Sequence, residues 1–312
     1  MISSVTCVTD RDEMMNGLVY PALRSYDGSY ADRRLHVAVA QVHSGGSVDE
    51  NLARIERQVS AAASVGADLI CFSECVLQGY GYGDDLTAEI VTRVALPIDS
   101  DPCDRIVAMA QKVNLTIVVG FFEVADGTFY NACLVAYPDG DRFCQRKHQL
   151  TETELAVGLT AGGIRRVPVI VNGVKCAVII CSDGGMDGLY ERLRDEGFDY
   201  RLCPTAGGGT MAAMLHESDL DSTDGRRRYE EARICAFKSD ALLDLTENQG
   251  IGFASANALG PVGASTCHVG HCMIVDNHGT MRGQISGSPI LEHQQDSMIH
   301  AEIQFPKRKD IL

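Results

Sequence analysis

The chain has 312 residues, 45% hydrophobic and 22% charged, enough apolar material for a large core. Its 27 basic against 42 acidic residues give a formal charge of −15, which argues against a nucleic acid or an anionic membrane as partner, since both call for a positive surface. No secretory signal is expected in residues 1–34, which carry Asp10, Asp12 and Glu13, and 12 scattered cysteines, among them Cys71, Cys176 and Cys235 inside apolar runs, fit a reducing cytoplasm.

Residues 1–34 hold Tyr20, Pro21 and Tyr30 among polar positions and read as an N-terminal extension, an arm packed on a neighbouring subunit or else a disordered tail. Residues 35–312 read as a single domain, because strands and helices alternate without a Pro/Ser-rich linker. No apolar run approaches the roughly 18 residues of a membrane span. Val37-Ala38-Val39-Ala40-Gln41 is a strand. Ser47-Val48-Asp49-Glu50 is a capping box, and Leu52, Ile55, Val59 and Ala62 follow at helical spacing. A buried strand over 68–74 ends on Glu74. Ile106, Met109, Ala110 and Val113 mark a second amphipathic helix before a strand over 115–121, and a hairpin-like stretch over 130–143 leads to Arg146-Lys147-His148. Val178-Ile179-Ile180 runs into Cys181-Ser182-Asp183-Gly184-Gly185. Beyond it the pattern predicts a short helix over 190–196, a strand over 198–203, a charged helix over 226–245 and short strands over 251–303. Periodicity by itself gives an α/β fold with mixed sheets.

Three residues stand at the ends of predicted strands. Cys181 is a soft nucleophile where a buried strand gives way to a turn whose N–H groups point at developing charge. Glu74 and Lys147 would each be commonplace surface charges if taken alone. Together they supply a base, an oxyanion partner and a nucleophile. An amide needs all three, having a poor leaving group and a poor electrophile, and a metal or organic cofactor is not required. A lysine close to the thiol is also expected to favour the thiolate.

This order of residues resembles the nitrilase, or carbon–nitrogen hydrolase, superfamily over about residues 35–305. The likeness also rests on Phe72-Ser73-Glu74 with Gly79-Tyr80, on Tyr130-Asn131-Ala132 with the turn Asp139-Gly140, on Ala256-Asn257-Ala258-Leu259-Gly260 and on Gly270-His271-Cys272-Met273-Ile274-Val275-Asp276. The resemblance implies a four-layer αββα sandwich of two mixed β-sheets covered by helices. It also implies a catalytic triad of Glu74, Lys147 and Cys181, supported by Glu154 with Glu152 as the competing position, and a homodimer or larger assembly. Tyr80, Ser182 and Asp183 are the expected substrate-binding residues, although Asp183 is better suited to capping the following helix by accepting its free N–H groups. Ser182-Asp183 and the absence of Trp point to amidases and carbamoyl hydrolases rather than true nitrilases. The chain departs from the pattern at His148, adjacent to the lysine, and at Gly184-Gly185-Met186-Asp187-Gly188, where the family often has an aromatic-Pro-Glu turn.

The expected activity is hydrolysis of a small linear amide or N-carbamoyl compound through a thioester. Nitrile hydrolysis, a free-standing glutaminase and a non-catalytic nitrilase-like binding protein are the alternatives. Cys267-His268-x-x-His271-Cys272 resembles a metal cluster, but adjacent side chains on a strand point to opposite faces, so no metal is expected. The glycine runs at 79–83 and 207–209 lack the spacing of a phosphate cradle and read as loops. Arg226-Arg227-Arg228 followed by Glu230 and Glu231 reads as a salt-laced helix face.

Overall fold

Alternation of small and branched apolar residues makes residues 33–41 a strand buried on both faces, and the sandwich is assembled around it. The computed structural model describes residues 33–236, 246 and 249–306. Strand β1 (Arg33–Gln41) pairs in parallel with β2 (Leu69–Cys71), which pairs in parallel with β3 (Thr116–Ala125). The chain then turns back through β4 (Thr128–Ala136) and β5 (Arg142–Arg146), both antiparallel to their neighbours.

The second sheet begins with β6 (Val169–Val171) and β7 (Val174–Val178), and β7 runs parallel to β8 (Tyr200–Thr205). A short β9 (Gly208–Thr210) comes next. Strand β10 (Gly252–Asn257) lies parallel to β8, and β11 (Leu259–Val262) and β12 (Thr266–Val269) form a hairpin to which β9 adds a third strand. Strands β13 (Cys272–Val275) and β14 (Met281–Ile285) complete the second sheet, while β15 (Ser297–Phe305) returns to pair antiparallel with β1. The two large sheets each have six strands, in the orders β15-β1-β2-β3-β4-β5 and β14-β13-β10-β8-β7-β6.

Their inner faces meet through Val37, Val39, Cys71 and Val118 on one side and Cys176, Val178, Leu202 and Ala254 on the other, all wholly buried. The outer face of the first sheet, including Ile70, Ile117 and Val119, is covered by α1 (Val48–Ser64) and α3 (Asp101–Val113), which comes after the shorter α2 (Ala88–Val94). Helix α1 carries the expected Ser47–Glu50 capping box and buries Leu52, Ile55, Val59 and Ala62. After the single-turn α4 (Glu152–Ala156), α5 (Leu189–Asp195) covers the second sheet by packing Leu189 and Leu193 on Ala177 and Ile179. The architecture is the four-layer αββα sandwich.

Several boundaries differ from those expected of the sequence. The strand expected at 198–203 lies two residues later, because Phe198 packs under α5 and leaves Tyr200 to open β8. Gly208 and Gly209 form strand rather than loop, since their main chain pairs with Cys267 and His268. The helix expected over 226–245 is α6 (Thr223–Ala236), and 237–245 lie outside the described residues. The N-terminal extension lies outside them as well, except that Arg33 and Arg34 already belong to β1.

Candidate active site

Parallel pairing brings strand ends together, and the residues just past β2, β7 and β8 gather at one rim of the sandwich. Glu74 lies in the turn after β2 and is 1% exposed. That turn passes so close to β3 that only glycine fits opposite it: a Cβ on Gly120 would stand 2.4 Å from the Cys75 nitrogen and 2.5 Å from the Ser73 oxygen. Lys147 directly follows β5, is wholly buried, and donates from its main chain to Asn131 O at 2.8 Å. Cys181 follows Ile179-Ile180 beyond β7, partly exposed, with a left-handed backbone at φ 46°. Such a conformation is costly for a residue with a Cβ and persists only where the surroundings fix it.

Asp183 does the fixing. Its carboxylate is fully buried and accepts from the N–H groups of Ile180 (3.3 Å), His148 (3.0 Å) and Gln149 (2.7 Å), while Arg166 pairs with it at 3.2 Å. The side chain therefore ties the Cys181 turn to the strand end that carries Lys147. It faces the interior, in the capping sense rather than toward substrate. Ser182 is half-buried and its hydroxyl donates to Gln149 O at 2.5 Å, a second tie between the same segments. A shallow hollow of about 250 Å³ lined by His148, Gln149, Ile164, Met186 and Asp187 lies alongside.

The Lys147 ammonium sits between two carboxylates, 2.7 Å from Glu74 Oε1 and 2.9 Å from Glu154 Oε2. Glu154 is wholly buried, whereas Glu152 is exposed. Thr151 caps α4, and Glu154 reaches back to accept the Thr151 N–H at 2.8 Å. The pattern Thr151-x-x-Glu154 is a capping box visible in the sequence, a signal that separates the two glutamates. Asn131, to which the sequence assigns no role, donates from Nδ2 to Glu74 Oε1 at 2.7 Å and to Glu154 Oε1 at 2.5 Å. The Cys75 thiol donates to the other end of that amide at 3.4 Å and so sets its orientation.

Burial raises the Glu74 carboxyl above its ordinary range; Lys147 opposes this and Glu154 reinforces it. Burial acts to lower Lys147, but Glu74 and Glu154 outweigh it and the ammonium is held more firmly protonated than usual. The Cys181 thiol is pushed up to about 12, first by burial and then by the Glu74 charge, against which Lys147 pulls. Lys147 does favour the thiolate, as expected, but burial and the Glu74 charge outweigh it, so the neutral thiol is the favoured form. Its ionisation calls for a base in contact with it.

Tyr80 is 3% exposed and stacks on Phe122 with ring centres 6.2 Å apart, lining the same region. Among the described residues no group of three or more His, Cys, Asp or Glu is arranged to hold a metal ion. Cys267 and His268 lie on β12 and Cys272 begins β13; the His268 ring is spent between Tyr80 O at 2.7 Å and Gly207 O at 3.3 Å.

The carbon-nitrogen hydrolase family model matches residues 36–214. Among curated relatives, a hydrolase of Mycobacterium tuberculosis (strain ATCC 25618 / H37Rv) is 26% identical over 182 residues, covering 56% of this chain and 62% of its own. An N-carbamoylputrescine amidase of Solanum tuberosum is 26% identical over 209 residues, covering 66% and 68% respectively. The chain spans about half to two thirds of the length of the curated relatives it matches. A carbon-nitrogen hydrolase from Helicobacter pylori G27 superposes with a TM-score of 0.68 at 17% identity, over 87% of this chain and 89% of that one, a likeness of fold.

Proposed function

We propose that this chain, which belongs to the carbon-nitrogen hydrolase family, is an amidase that cleaves a small linear amide or N-carbamoyl compound through a thioester on Cys181. The observation that carries the reading is the buried Lys147 ammonium clasped by Glu74 and Glu154, with the Cys181 thiol close enough to both Glu74 and Lys147 to feel their charges. Burying three charges is costly, and a non-catalytic scaffold would gain more from apolar side chains of similar volume.

In the first half-reaction Glu74 takes the Cys181 proton while the sulfur bonds to the substrate carbonyl carbon. The oxygen becomes an oxyanion facing Lys147 and the Ser182 N–H. Collapse breaks the carbon–nitrogen bond as Glu74 returns its proton to the departing nitrogen, leaving a thioester and ammonia or an amine. In the second half Glu74 takes a proton from water, whose oxygen adds to the thioester carbon, and the carbon–sulfur bond breaks as that proton goes back to the thiolate. The raised Glu74 carboxyl suits a group that must both accept and give up a proton. Glu154 and Asn131 hold Lys147 and Glu74 in register, and no step calls for a metal or organic cofactor.

The amidase of Solanum tuberosum supports the carbamoyl side of this reading. The proposal places the enzyme in the cytoplasm as a homodimer or higher homo-oligomer acting on small molecules, with Tyr80 and Ser182 at the substrate. Ten free cysteines among the described residues support a reducing compartment, and among those residues no helix is long and apolar enough to cross a membrane.

Ammonia release from a panel of small amides, carbamoyl compounds, nitriles and glutamine tests the proposal. Turnover of an amide or carbamoyl compound, abolished by Cys181→Ala, is the expected result. Turnover of nitriles or glutamine alone would reassign the substrate, and silence across the panel would overturn the amidase reading.

A further inference from the structure

The base and the nucleophile belong to different halves of the sandwich. Glu74 follows β2 of the first sheet and Cys181 follows β7 of the second, so their separation depends on how the two sheets are tied together at this rim. A main-chain hydrogen bond crosses from one sheet to the other at the base itself: the Glu74 N–H donates to Thr205 O, the last carbonyl of β8, at 3.2 Å. Strand β8 is the parallel neighbour of β7, and just before the nucleophile the Ile179 N–H still donates to Leu202 O at 2.8 Å. Thr205 therefore stands on the strand from which the Cys181 turn departs, and it holds the turn that carries Glu74.

The Thr205 carbonyl is itself fixed, at its oxygen and on both sides. The oxygen also accepts from the Ala258 N–H at 3.2 Å. On the N-terminal side the Thr205 hydroxyl shares its proton between Ala256 O and Asn257 Oδ1, both at 3.1 Å. On the C-terminal side the Gly207 N–H donates to the same Asn257 oxygen at 2.7 Å. Asn257 ends β10, and its Nδ2 donates to Gly270 O and, at 3.3 Å, to Gly207 O, so this amide cannot turn without breaking bonds at both of its ends.

We propose that Thr205, braced by Asn257, is a positioning residue for Glu74, setting the distance between a base on the first sheet and a nucleophile carried by the second. Proton transfer needs the base in contact with its partner, and a misplacement of about 1 Å is enough to slow it severely. The catalytic consequence rests on the amidase reading, whereas the hold on the Glu74 main chain does not.

The test compares Thr205→Val, which keeps the shape and removes the hydroxyl, with Thr205→Ser, which keeps the hydroxyl. Hydrogen–deuterium exchange resolved to the Glu74 amide is the readout, with the Ile70 and Cys71 amides of β2 as internal references. Exchange at Glu74 about threefold to tenfold faster in T205V is expected, the range for loss of one hydrogen bond, with T205S at the wild-type rate and the references unmoved. Where a substrate is in hand, kcat of T205V falls by a similar factor with KM little changed, and T205S recovers it. Wild-type exchange at Glu74 in a folded T205V protein would overturn the proposal, and so would an acceleration shared equally by Ile70 and Cys71, the mark of general loosening. Should T205V fail to fold, Thr205→Ala also lacks the hydroxyl, and unchanged exchange at Glu74 there overturns it equally. Exchange needs no substrate, so a failed amidase assignment and a failed role for Thr205 give different results.

Discussion

Replacing Glu154 by glutamine keeps the size of the side chain and removes its charge, and the contacts of both oxygens set the consequence. Oε1 accepts from Asn131 and from Lys147, and Oε2 accepts from the Thr151 N–H and from Lys147. Whichever oxygen becomes an NH2 group then faces two donors, and each buried group left unsatisfied costs about 1–3 kcal/mol. The lost attraction to the ammonium, 2.9 Å away, is about 6 kcal/mol before compensation at an effective dielectric of about 20. Relief of Glu154–Glu74 repulsion offsets part of it, so a net stability loss of about 2–5 kcal/mol is expected, in line with breaking a buried pair. Catalysis should fall about a hundredfold through misplacement of Lys147 and Glu74. The informative readout is the acid limb of kcat/KM against pH, which reports the base of the free enzyme. Glu154 helps to raise Glu74, so E154Q lowers the Glu74 pKa and moves that limb to lower pH even as the rate drops. An acid limb that stays in place or moves to higher pH would refute the coupling of the two carboxylates.

Other consequences can be measured separately. Gly120→Ala drives a Cβ into the Glu74 turn, so activity should collapse with a stability loss of about 1–3 kcal/mol, read by urea denaturation beside the rate; a fully active variant would contradict the close approach. Asp183→Ala strands three N–H groups and the Arg166 guanidinium, and about 3–5 kcal/mol should be lost; a loss under about 1 kcal/mol would show that the carboxylate braces nothing. Burial holds Cys71, Cys75, Cys133 and Cys144 well above the ordinary thiol range, so their neutral forms stabilise the fold fully below the unfolded thiol pKa. Above about pH 8.5 the unfolded chain binds fewer protons than the folded one, and each such thiol lowers stability by up to about 1.4 kcal/mol per pH unit. Denaturation midpoints that hold level from neutral to strongly alkaline pH would rule this out.

Local signals in the sequence carry far, and they stop where long-range contacts begin. The capping box at Ser47 and the apolar stripe after it define α1 because both are properties of one contiguous segment. Glu74, Lys147 and Cys181 stand out because each falls at the end of a predicted strand or hairpin. Asp183 is different: the positions of its partners His148, Gln149 and Arg166 are set by how the Cys181 turn meets the end of β5, which periodicity does not encode. The same holds for Thr205, whose carbonyl meets the Glu74 N–H from the other sheet, and for β9, whose glycines carry no strand signal until β12 lies beside them. For Cys181 the pull of the lysine toward the thiolate is legible in the sequence, while the burial and the competing Glu74 charge that outweigh it are not.

The most direct test of a thioester on Cys181 is intact-protein mass spectrometry after brief exposure to small amides and carbamoyl compounds, comparing wild type, Cys181→Ala and Glu74→Gln. The predicted result is an added acyl mass that maps to the Cys181 peptide in wild type, forms more slowly but is also lost more slowly in E74Q, which lacks the base for both the thiol and the water, and is absent from C181A. An acyl mass mapping to another residue, or turnover that survives in C181A, would contradict it.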